Sequence, residues 1–73
     1  MKTCFVKMIW DDGFWCCETD AELGITLESP SFDGLAERVR EAVPEMLALN
    51  RGYTGPVQII FVTERVDILP AAI

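Results

Sequence analysis

Apolar and polar residues alternate along the first ten positions of the chain. Cys4, Val6, Met8 and Trp10 fall on one face of an extended segment, and Phe5, Lys7 and Ile9 on the other. This period of two predicts a first strand from Thr3 to Trp10. Asp12-Gly13 comes next, a pair suited to a tight turn whose two central residues both need positive φ. Phe14 to Thr19 then returns as a second strand. The turn fixes the register: Trp10 opposite Trp15, Met8 opposite Cys17, Ile9 opposite Cys16, and Lys7 opposite Glu18. Aromatic rings meet on one face, and opposite charges meet on the other.

After the polar connection Asp20-Ala21-Glu22, the alternation of Ile25-Thr26-Leu27-Glu28 predicts a short third strand, stopped by Ser29-Pro30-Ser31. The period then changes. Leu35, Val39, Val43, Met46 and Leu47 form a stripe at helical spacing, which predicts a helix from Phe32 to Asn50. Ser31 suits the N-cap, because its hydroxyl can accept from a free amide of the first turn, and Asp33 suits the positive helix end. Gly34 stands where a capping-box glutamate would be, so that box is absent. Pro44 removes one donor inside the helix and crowds the carbonyl of Arg40, predicting a kink. Gly52 and Gly55-Pro56 mark the exit. Pro56 to Val66 reads as a last strand, with Val57, Ile59 and Phe61 on one face and Gln58, Ile60 and Val62 on the other. The tail from Ile68 to Ile73 is apolar.

The order is β-β-β-α-β over a single domain, residues 1–73. It predicts an α+β fold of two layers: a mostly antiparallel four-stranded sheet with one long helix on one face. The helical crossover places the last strand parallel to the first at the sheet edge. One helix covers one sheet face. The other face then carries Phe5, Ile9, Cys16 and an apolar row of the last strand. Apolar surface of this kind costs roughly 25 cal/mol per Å² to leave in water, and a contiguous exposed patch marks an interface. A homodimer or a protein partner is therefore expected.

Composition sharpens this picture. The chain has 73 residues, 51% of them hydrophobic, enough for a small core and too many for a disordered segment. No apolar run approaches the ~18 residues of a membrane span. The first residues do not read as a signal peptide, so a cytoplasmic address is expected. Twelve acidic residues against six basic give a net charge of −6. The acid lies mostly in the first half, where it repels phosphate backbones and argues against direct nucleic-acid binding. The same surface attracts a basic protein. Glu18, Asp20, Glu22 and Glu28 are the candidate electrostatic part of such an interface, with Phe5, Ile9 and Cys16 the apolar part. Solubility alone also accounts for such charges.

Catalytic and metal chemistry find little support. Cys4, Cys16 and Cys17 are odd in number, without histidine or CxxC spacing, and read as small buried or half-buried hydrophobes. No metal or cofactor is expected. Asp11, Asp12, Glu18 and Asp20 are the remote candidates for a metal-dependent nuclease, but aspartate is wanted at the turn for backbone reasons and Glu18 faces Lys7. Trp10 and Trp15 suit a cross-strand core pair better than a ligand-stacking pair. Ser29 and Ser31 lack a base and suit a strand stop and a helix cap. Arg38 and Arg40, beside Glu37 and Glu41, suit a solvated face.

One series of residues adds a resemblance. Trp10-Asp11, Trp15, Asp20, Leu23-Gly24, Glu28-Ser29 and the run SFDGLAERVREAVPEMLALN resemble a small bacterial family, domain of unknown function nineteen-oh-two, of the HicB-like antitoxin superfamily. The resemblance covers Phe5 to about Asn50. It implies a degraded ribonuclease-H-like unit of β-β-β-α-β order and an inhibitory, non-enzymatic role. Full antitoxins of that superfamily cover a small basic RNA-cleaving toxin and add a C-terminal DNA-binding segment. This chain reaches Ile73 with no helix-turn-helix or ribbon-helix-helix, so operator binding is not expected of it. A homo-oligomeric structural or regulatory domain without a toxin is the alternative.

Overall fold

The hairpin forms as its turn residues dictate. Asp12 and Gly13 adopt φ of 47° and 93°, and β1 (Lys2–Asp11) pairs antiparallel with β2 (Phe14–Glu18) in the expected register, Trp10 against Trp15 and Lys7 against Glu18. The computed structural model describes residues 1–64 and 67–72. It continues with β3 (Glu28–Ser29), α1 (Phe32–Arg51) and β4 (Val57–Glu64). Arg65 and Val66, the expected end of the last strand, lie outside the described residues.

The third strand is shorter and later than the alternation of residues 25–28 suggests. The Ile25 amide donates to Thr19 Oγ1 at 3.0 Å, and the Leu23 and Gly24 amides donate to the Asp20 carbonyl. These local bonds hold residues 20–25 as a loop. Ladder pairing begins only where Cys17 N donates to Leu27 O at 3.1 Å, and it ends at Ser29, before Pro30. The loop still serves the core: Leu23 and Ile25 are both buried.

The helix starts at Ser31, whose Oγ accepts from the Gly34 amide at 2.8 Å. A Cβ at position 34 would lie 3.1 Å from Ser29 Oγ and 3.2 Å from Ser31 Oγ, so glycine leaves room for the cap at the cost of the capping box. The helix runs unbroken as one element through Pro44 and stops at Gly52, which takes φ of 64° while its amide bonds the last carbonyls. Left-handed backbone at this position favours glycine. Tyr53 then fastens the start of the last strand. Its hydroxyl accepts from Lys2 N at 3.2 Å and donates to Pro56 O at 2.7 Å.

The sheet order is β3-β2-β1-β4, with β1 and β4 parallel and the other pairings antiparallel. The α+β architecture is the one the pattern implies. Val6, Met8 and Cys17 from the sheet meet Leu35, Val39, Val43 and Leu47 from the helix to form the core. Met46, at the margin of the stripe, is half-buried. All three cysteines are free; Cys4 and Cys17 are buried and Cys16 is half-buried. The tryptophan pair differs from expectation. Trp10 is 50% exposed, so the pair closes the margin of the core. Trp15 in turn meets Phe32 edge-on at 5.0 Å, and Phe32 meets Phe61 at 6.4 Å. Among the described residues no helix is long and apolar enough to cross a membrane.

Candidate functional site

Strand alternation sends Thr3, Phe5, Lys7, Ile9 and Asp11 of β1 to the sheet face away from the helix. The register adds Gln58, Ile60, Val62 and Glu64 of β4, Phe14, Cys16 and Glu18 of β2, and Glu28 of β3. Among the described residues this face stays open to solvent: Phe5, Ile60 and Val62 are exposed, and so are Ile68 and Leu69 of the tail.

The face is less uniformly apolar than the pattern suggests. Thr3 Oγ1 donates to Gln58 Oε1 at 3.2 Å, and Lys7 Nζ reaches Glu64 Oε2 at 2.9 Å. Phe5, Ile60 and Val62 form one exposed cluster between these polar pairs. Ile9 and Cys16, both half-buried, lie in the next row, beyond the ion pair. Glu18 is the cross-strand neighbour of Lys7, as expected, but the close ion pair of Lys7 is with Glu64. That hydrogen-bonded carboxylate, with a smaller contribution from Glu18, holds the Lys7 ammonium above the ordinary lysine range.

An open groove of about 360 Å³ crosses this surface, lined by Phe5, Lys7, Glu18, Thr19, Asp20 and Val62. It brings together three of the residues singled out from the sequence, Phe5, Glu18 and Asp20. Asp20 also has a local task, its Oδ1 accepting from the Leu23 amide at 3.3 Å. Glu28 stands opposite Cys16, and its carbonyl is held by Arg38 at 2.9 Å. The Cys16 thiol is pushed up by partial burial first and by the nearby Glu28 and Asp11 charges second. Burial likewise raises the Cys4 thiol.

Glu22 belongs elsewhere. Its Oε1 takes Lys2 Nζ at 3.3 Å and Arg51 Nε at 3.1 Å, and its carbonyl takes Asn50 Nδ2 at 2.9 Å. It clamps the start of β1 and the end of α1 to the intervening loop. As for metal chemistry, Asp12 is a turn residue, and no group of three or more potential ligands gathers among the described residues.

Sequence reasoning misses the Lys7–Glu64 pair and the exposed Phe14. The first needs the β1–β4 register, which no turn specifies. The second is visible in the alternation that places Phe14 on the same face as Cys16.

These features define a small α+β domain that presents an acidic, partly apolar sheet face to its surroundings. A family model described as Domain of unknown function (DUF1902) matches residues 3–69, and the chain belongs to that family. Among solved structures it is similar to hypothetical protein TTHA1013 from the extremely thermophilic bacterium Thermus thermophilus. The two are 27% identical, with a TM-score of 0.76 over 93% of this chain and 100% of that one. No curated protein matches the chain.

Proposed function

We propose that this chain is a protein-interaction domain of HicB-like antitoxin type that acts by covering a basic protein, in the manner of an inhibitor of a small RNA-cleaving toxin, and performs no chemistry of its own. The observation that carries this reading is the outer groove. Phe5 and Val62 supply an apolar floor, and Glu18 and Asp20 supply negative charge beside it. Lys7, the groove's cation, is engaged by Glu64, which leaves the Glu18 carboxylate for an incoming lysine or arginine. Such a side chain suits the site, because its methylene stem lies on apolar surface while its head seeks a carboxylate. The net charge of −6 adds attraction at a distance and speeds encounter more than it deepens affinity.

Purification of the native protein from its own cells is the test. The reading expects a small basic protein to co-elute, and Glu18→Lys to release it with the fold unchanged by circular dichroism. Repeated purification without such a partner removes the toxin reading.

A further inference from the structure

The sheet has two edges of opposite design. On one side, β3 is two residues long and is followed by Pro30. On the other, β4 runs for eight residues, Val57–Glu64, with no lysine, arginine or proline and a single charge at its last position. Soluble sheets guard long edges with such residues or cover them. Half of the N–H and C=O groups of β4 point away from β1. Among the described residues, the backbone bond nearest to them, from Lys2 N to Pro56 O, lies on the β1 side.

We infer that β4 is the seam of a two-fold dimer, in which it pairs antiparallel with the β4 of a second copy to make one continuous sheet. The strand is self-complementary. In a continuous sheet the outer face of one copy meets the outer face of the other, so the two-fold axis must pass between a residue and its own copy, and Phe61 is the residue that matches like with like. Ile60 then faces the partner's Val62, and Gln58 faces the partner's Glu64. Gln58 already accepts from Thr3 through its oxygen, which leaves its amide N–H groups free to donate to that carboxylate. The exposed Phe5–Ile60–Val62 cluster becomes one strip across the seam.

Sedimentation equilibrium of the full chain, from micromolar to millimolar, tests this. The expected result is a dimer that Ile60→Lys and Val62→Glu each weaken by about tenfold or more. Both positions are solvent-facing, so circular dichroism should confirm unchanged folding. The double variant should recover most of the association, because each introduced lysine faces an introduced glutamate across the seam. A monomer at every concentration overturns the proposal. So does a dimer indifferent to the single changes, or one that the double change fails to restore. The basic partner is tested apart from the seam by Glu18→Lys, since Glu18 lies on β2 and takes no part in the β4 pairing.

Discussion

The two faces of this sheet come from the same strands and the same alternation, yet they are finished differently. Towards the helix, Val6, Met8 and Cys17 are sealed under Leu35, Val39 and Val43. Away from it, Phe5 stands 62% exposed, and polar pairs such as Thr3–Gln58 and Lys7–Glu64 are set between the apolar side chains. The first face is a close-packed interior that holds the fold together. The second is an interrupted surface whose apolar groups stay exposed to solvent and contribute little to the stability of the isolated chain. Alternation therefore decides which residues share a face, and the neighbours decide what that face is for.

The sharpest way to break the comparison is to truncate one residue on each side. Leu35→Ala should destabilise by about 2–5 kcal/mol, the range for a buried leucine that leaves a cavity, whereas Phe5→Ala should cost no more than about 0.5 kcal/mol. Urea denaturation measures both. Equal losses would mean that the outer face is part of the core. Next in size is Glu22→Ala, which frees Lys2 and Arg51 together. About 1 kcal/mol is expected, because the pairs are partly solvated.

A smaller effect is expected at Lys7→Met, and its sign with pH is informative. The folded pKa of Lys7 lies above the unfolded one. Its ion pair with Glu64 therefore contributes fully below about pH 10.4 and is lost as the pH climbs through the folded value. The stability gap between wild type and variant should close in alkali; a gap that widens there would contradict the pairing. The smallest effect is chemical. Cys16 should react with iodoacetamide before the buried Cys4 and Cys17, yet more slowly than a free cysteine at neutral pH, since its thiol is raised. Peptide mapping by mass spectrometry gives the order.

What is legible in the sequence is local. Asp12-Gly13 sets the hairpin register to the residue, and Ser31 and Gly52 bound the helix, because turns and caps are satisfied by neighbours a few positions away. The third strand departs from its alternation because the short polar side chains of Asp20 and Thr19, before a loop, draw the Leu23 and Ile25 amides away from the ladder. The candidate site is only half visible. Phe5, Glu18 and Asp20 do meet in the groove. The partners that shape it, Val62 as floor and Glu64 as the ligand of Lys7, come from more than forty residues away. Their register against β1 depends on where the crossover helix delivers the chain. Glu22, one acid among several in the sequence, gains its separate role only when Lys2 and Arg51 converge on it.

The strand order β3-β2-β1-β4 also has a consequence for how the chain comes into being. β1 is synthesised well ahead of its second neighbour, with Cys4 paired to Ile59 and Val6 to Phe61. Hairpin and helix can organise early, over short spans of sequence. The innermost layer stays open along one flank until residues 57–64 arrive, and such late, distant pairing is the slow kind of contact to make. Interrupting translation shortly before that point would release a polypeptide with its central ribbon half satisfied, a ready substrate for chaperones or for misassembly.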